Sequence, residues 1–309
     1  MVEKYFIFKQ DVEREVIYDS VLNRKKREIH KKIGEFIESK HLKDIENYYE
    51  ILCEHFYRAG IWEKAEEYYF KTAVKMKNNF VFHSALEYYQ RFLEISALPN
   101  EKSGQSKIYD AMADMGHINV TLANYDTALN YLHQALNIAC VAEDVYSVKM
   151  IIAHIYKEQG RYEEALEVLE EVELKIRQDS SIYGKVLQIK CEILRITGNP
   201  EALNLAKKSE KVLLKLKEYQ SLSETMNQAG IIYYIKGDIT NSLSYLNKSY
   251  KYAEKAKNLE VLSKVTGNLG IIYYATGMVS KAFKFFNESI EISKKISDQQ
   301  GYITGCNNL

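Results

Sequence analysis

Apolar and polar positions along this chain follow the three-to-four-residue step of amphipathic helices, with a turn residue between successive runs. The runs also repeat one another. GNLGIIYYATG at residues 267–277 restates NQAGIIYYIKG at residues 227–237. Aligned on the small residue inside this phrase, small side chains recur at Cys53, Gly116, Ala153, Cys191, Gly230 and Gly270, spaced by 37, 38, 39 and 40 residues from Gly116 onward. A turn position follows each: Gly60, Ala123, Gly160, Gly198, Gly237 and Gly277. A second small residue comes next at Ala65, Ala128, Ala165, Ala202, Ser242 and Ala282. One helical turn later stands an aromatic or leucine at Tyr69, Leu132, Leu169, Leu246 and Phe286, with Ala206 breaking the series.

This pattern predicts two antiparallel helices per unit. Glycine at the end of the first helix can take the left-handed cap conformation at little cost. The two small residues belong where the helices cross, because larger side chains there would push the axes apart. One such pair cannot bury its apolar faces alone, whereas stacked pairs can, so the period implies a solenoid. Asn119 stands where an aromatic is expected, and TGNPEAL at 197–203 has a turn one residue short, where Asn199 can cap and Pro200 can start the second helix. Residues 79–98 read as a second helix without a full first partner, and 96–105 are rich in helix breakers.

The combination resembles the tetratricopeptide repeat (TPR): a small residue and then Tyr or Leu in the first helix, glycine at the turn, alanine and an aromatic in the second. LGIIYYATGMVSKAFKFFNESIEI at 269–292 matches at each place, and the resemblance covers about residues 47–309. It implies an all-α fold, a right-handed α-α superhelix of stacked antiparallel helix pairs. A second resemblance lies at residues 8–38. The Phe8 start, EVIYDSVL, RKKREIH and IGEFIE are similar to the junction between ATPase and TPR array in bacterial signal-transduction ATPases, including those linked to cyclases or transcriptional regulators. The expected organisation is therefore an N-terminal helical segment at 1–46 that ends an upstream ATPase-type module, a first repeat plus a degenerate unit at 47–98, a linker at 99–106, and an array of about five units at 107–309. The last nine residues, GYITGCNNL, align with VLSKVTGNL at 261–269, so the final unit reads as truncated within its first helix.

Composition narrows the function classes. The 309 residues carry 42 Lys+Arg and 42 Asp+Glu, a balance without a general footprint for nucleic acid or anionic membrane. Two prolines, Pro99 and Pro200, leave room for helix almost throughout. Cys53, Cys140, Cys191 and Cys306 lack CxxC spacing and read as free thiols in a reducing compartment. No apolar run approaches the roughly 20 residues of a membrane span. MVEKYFIFKQ at the start has no cleavage site, so the expected location is the cytoplasm.

Chemistry-bearing motifs are missing. The sequence has no phosphate loop, nucleophile elbow or HExxH, and its seven histidines lack metal-ligand spacing, although His117 and His154 follow the small residue of consecutive units. No catalytic residue, metal or cofactor is expected. The basic run RKKREIHKK at 24–32 reads as the polar face of an amphipathic helix backed by Val21, Leu22, Ile29 and Ile33.

The TPR resemblance implies instead a concave face lined by first helices. Carried onto this chain, it runs through Glu50, Glu54, Tyr57 and Arg58, then His117, Val120 and Thr121, then Met150, His154, Lys157 and Glu158. It continues through Gln188, Glu192, Arg195 and Ile196, then Asn227, Ile231, Tyr234 and Ile235, then Ile271 and Tyr274, with Lys185 and Lys264 at the rim. The central stretch reads as mixed-basic, suited to acidic groups, and the C-terminal stretch as apolar and aromatic with the amide of Asn227. The expected partner is a protein or peptide segment, with no nucleic acid or membrane, and pairing with a second copy through an exposed solenoid end. The function implied is a non-catalytic interaction and regulatory module of a larger bacterial signalling protein. The alternative is a stand-alone TPR peptide sensor of the cell–cell signalling type.

Overall fold

The computed structural model describes residues 11–98, 104–296 and 298–309. The opening MVEKYFIFKQ with Phe8, and most of the expected linker at 99–106, fall outside the described residues. Helices dominate, and among the described residues there is no strand. In chain order they are α1 (Asp11–Ser20), α2 (Asn23–Lys40), α3 (Tyr49–Ala59), α4 (Trp62–Asn78), α5 (Phe82–Ser96), α6 (Gln105–Thr121), α7 (Tyr125–Ile138) and α8 (Ala142–Glu158). These are followed by α9 (Tyr162–Glu173), α10 (Ser181–Ile196), α11 (Ala202–Leu216), α12 (Tyr219–Ile235), α13 (Ile239–Ala256), α14 (Leu259–Ala275), α15 (Val279–Lys295) and α16 (Gln299–Asn308). The chain forms two compact units, Met1–Asp144 and Val145–Leu309, which divide within the first turn of α8.

Each unit stacks antiparallel neighbours: α3 on α4 and α6 on α7 in the first, α10 on α11, α12 on α13 and α14 on α15 in the second. The crossing residues carry the stack. Cys53, Ala153 and Cys191 of the first helices are fully buried, as are Ala65, Ala128, Ala165 and Ser242 of the second. At Gly230 a Cβ would stand 2.7 Å from Leu246 Cδ2, so only hydrogen leaves room for the leucine that fills the crossing. The left-handed caps form as the glycines require, with Gly277 at φ 77°. Ala123 holds the same conformation at φ 58° without glycine's freedom.

Two sequence departures have clear resolutions. Asn119 is buried, donates its amide to the Met115 carbonyl at 2.8 Å and accepts from Asn124, so its polar atoms are satisfied where an aromatic was expected. Asn199 accepts from the Glu201 backbone N–H at 3.0 Å, which places Pro200 in the turn, and α11 starts at Ala202 rather than at the proline.

In the first unit, Leu52, Phe56, Tyr89, Phe92 and Met115 form a continuous core. In the second unit the cores are smaller and separate: Ala153, Leu169 and Ile193 in one, Leu246, Val265 and Leu269 in another. Burial pushes the Cys53 and Cys191 thiols up to about 12, so both are inert packing groups, and all four cysteines are free. No helix among the described residues is long and apolar enough to cross a membrane.

Candidate interaction surface on the first helices

The first helix of each pair uses its small residue to approach its own partner, so the positions around that residue must point elsewhere. In the second unit these positions lie on α8, α10, α12 and α14. They form a wall whose charged groups reach one another across several helices. Lys157 of α8 binds Glu158 at 2.9 Å and Glu192 of α10 at 3.1 Å, with its side chain only 8% exposed. Burial disfavours its charge, but the Glu192 and Glu158 carboxylates outweigh this and hold the ammonium above the usual lysine range. His154 lies 3.9 Å from Glu158, and burial with the Lys157 charge keeps its imidazole below the ordinary value. Arg195 donates to Gln228 Oε1 at 2.5 Å. Lys264 of α14 binds Glu260 at 2.6 Å.

Glu224 of α12, half-buried, sits among these groups without a hydrogen-bonded cation among the described residues. Burial, then the charges of Glu260 and Glu192, push its carboxyl up to about 7 against the opposing pull of Lys264 and Lys157. The wall thus carries the carboxyl groups of Glu158, Glu192, Glu224 and Glu260 together with the cations Lys157, Lys185, Arg195 and Lys264. Of the cations expected to receive acidic groups, Lys157 is engaged by Glu158 and Glu192, and Arg195 by the neutral amide of Gln228.

Buried amides lie beside the charges. Gln188 and Asn227 are 7% and 6% exposed. Asn227 Oδ1 accepts from Asn268 Nδ2 at 2.9 Å. Gln188 lies one helical turn before Glu192 on the same face of α10. Toward the C-terminal ends of α12 and α14 the wall turns apolar: Ile235 is 67% exposed, Tyr274 65% and Ile271 37%. Ile231 is half-buried beside them.

The remaining sequence-derived positions are placed differently. Met150 and Tyr234 lean into the cores around Leu169 and Leu246, and Lys185 is half-buried on α10. His117 is exposed on α6 in the first unit, whereas His154 belongs to the second. Also in the first unit, Glu54 accepts from the Tyr69 hydroxyl at 2.8 Å and pairs with Arg58 at 3.5 Å. The basic run on α2 is largely compensated: Lys25 and Lys32 bind Glu28, Lys31 binds Glu35, and Lys26 binds Asp19. No group of three or more potential metal ligands converges among the described residues.

Sequence reasoning missed Glu224, Gln228, Glu260 and Asn268. Glu224 stands six residues before Gly230, the register that had put Lys185 and Lys264 at the rim, so the repeat alignment could have found it. Gln228 and Asn268 lie beside the inward positions, and only the packing of neighbouring first helices turns them into the wall.

Comparison with known proteins agrees with this architecture. Tetratricopeptide repeat models match residues 221–295 and 146–173. No curated protein matches the sequence. The apo form of RapI superposes with a TM-score of 0.64 at 16% identity, covering 88% of this chain and 82% of that one. The apo form of the quorum sensor NprR from B. thuringiensis superposes with a TM-score of 0.58 at 13% identity, covering 96% of this chain and 92% of that one. A STAND signal-transduction ATPase with a tetratricopeptide repeat sensor, from Pyrococcus horikoshii, gives a TM-score of 0.54 at 18% identity, over 93% of this chain and 43% of its own. Residues 146–173 and 221–295 are tetratricopeptide repeats, and the chain has the all-α fold of TPR solenoids.

Proposed function

We propose that the wall built by α8, α10, α12 and α14 binds an extended peptide or protein segment that carries apolar side chains and at least one cationic group. The observation that carries this reading is Glu224, a half-buried carboxyl on α12 that feels the Glu260 and Glu192 charges and has no hydrogen-bonded cation among the described residues. An incoming ammonium or guanidinium would supply the missing charge and lower the cost of ionising it. Asn227 keeps amide N–H donors beyond its bond with Asn268, and these suit a backbone carbonyl of an extended chain. Ile235, Ile271 and Tyr274 offer exposed apolar area for the rest of the segment. The fold shared with NprR, a quorum sensor, supports a sensing role.

A random-peptide library selected on the full chain tests the proposal. Enriched peptides should combine basic and apolar residues. Glu224→Lys and Tyr274→Ala should each weaken the best of them by about tenfold or more in fluorescence anisotropy. Enrichment of acidic peptides, or affinities unchanged by both substitutions, would refute it.

A second, compatible reading is that the array serves as the sensor region of a larger signalling protein. Its support is the likeness over 93% of this chain to the P. horikoshii protein, together with the junction-like motifs at residues 8–38. Binding would then act by favouring one of two conformations, which requires a differential affinity between them. The reading frame around this segment tests it: an upstream phosphate-loop motif supports the sensor-region reading, and its absence supports a stand-alone sensor.

A further inference from the structure

A chain of titratable side chains in the first unit, far in sequence from the wall described above, ties the N-terminal hairpin to the repeats. The Tyr18 hydroxyl of α1 lies 2.8 Å from His30 Nε2 of α2, and His30 Nδ1 lies 2.8 Å from His55 Nδ1 of α3. His30 is 7% exposed, and it and Gly34 are the buried residues of α2. Much of the hairpin's apolar surface faces solvent, including Val16, Leu22 and Phe36. The contact between α2 and α3 therefore depends heavily on these rings and on the close approach of Gly34 to the Phe56 ring. A cavity of about 290 Å³, lined by His30, Glu50, Ile51, Glu54, His55 and Arg58, gives water access to the pair.

We propose that Tyr18, His30 and His55 form a proton-operated latch that holds the N-terminal half of the α1–α2 hairpin on α3 at neutral pH and releases it on acidification. Two facing Nδ1 atoms can share one hydrogen. When both rings are neutral, one donates and the other accepts, and either tautomer of His30 satisfies Tyr18, whose hydroxyl can donate or accept. A single added proton leaves one Nδ1–H between the rings. A second puts N–H against N–H and two positive charges in contact, and the bridge breaks.

The surroundings favour the neutral pair. Burial, then the neighbouring His55 and Arg58 charges, hold His30 below its ordinary 6.5, with Glu54 opposing. Burial and Arg58 do the same for His55, again against Glu54. Glu50 lines the same cavity from α3, and on the hairpin side Lys26 lies over the Tyr18 ring at 4.4 Å. The docked state thus binds protons more weakly than the released one. Docking is at full strength above pH 6.5 and is lost as pH falls through the lowered values of the docked pair. The C-terminal half of α2 stays anchored, because Glu38 accepts from the Tyr68 hydroxyl at 2.7 Å and pairs with Lys64.

Hydrogen exchange of the full chain, corrected for the intrinsic pH dependence of exchange, is the test. Amide protection in residues 16–33 should fall by about tenfold or more between about pH 7.5 and about pH 5.5, while α12–α15 stay unchanged. His55→Gln keeps a donor and an acceptor but cannot titrate, so it should weaken the pH dependence and leave only the part that His30 contributes. Tyr18→Phe should lower protection at both pH values and keep the dependence. Equal protection of the native chain at both pH values, or a pH dependence undiminished by His55→Gln, would overturn the latch. Should His55→Gln fail to fold, imidazole NMR titration of the native chain decides: His30 and His55 must titrate below 6.5 and in step with the loss of protection, and ordinary, independent titration refutes the proposal.

Discussion

Single atoms set the limits of this structure. At Gly230 the space a methyl group would need is already held by Leu246. Gly230→Ala is expected to destabilise the second unit by about 1–3 kcal/mol, measured by urea unfolding, because the leucine must leave its rotamer or the helices must part. Glu224 makes a different demand, since its carboxyl is pushed up to about 7 by burial and by Glu260 and Glu192. The folded state therefore binds this proton more tightly than the unfolded one. The stability it contributes is full below the ordinary glutamate value and declines as pH rises through about 7. Carboxyl NMR should show Glu224 titrating near neutrality, and Glu224→Gln should flatten that part of the stability profile.

At the scale of the helical element, the turns decide how faithfully a unit repeats. Five of the turn positions are glycines at φ 73–77°, and Ala123 holds the same conformation at 58° with a Cβ in the way. Ala123→Gly relieves the strain but adds freedom to the unfolded chain, so the net gain is modest, about 0.5–1 kcal/mol. A rise in thermal midpoint checks it, and a fall would show that the α6–α7 turn is not under strain. The wall residues obey the same logic of elements. Lys157, Arg195 and Lys264 look like free cations in the repeat alignment, yet each meets an acceptor: Glu158 and Glu192, Gln228, and Glu260. The partners of Lys157 and Arg195 include residues 33 or more positions away, on the next first helix.

At the scale of the molecule, cores are local, and neighbouring helix pairs depend on one another far more than on distant ones. Leu246→Ala removes a fully buried side chain at the α12–α13 crossing. It should cost about 2–5 kcal/mol in the second unit and leave hydrogen-exchange protection in α3–α5 unchanged. Uniform loss of protection in both units would show that they unfold as one.

The repeat register alone determined the helices, the left-handed turns and the small crossing residues, because each follows from a short stretch of chain: a periodic apolar face, a cap conformation, a position where two axes meet. It also placed Asn227, Ile271 and Tyr274 on the first-helix face. The tertiary structure decided which of the wall's charges are paired and where its unpaired acid lies. Both depend on which side chain of the next first helix comes within reach, and no periodicity within one helix specifies that. The same holds for Tyr18, His30 and His55. Each is unremarkable in its own helix, and only the docking of the hairpin on α3 brings their polar atoms into a single file.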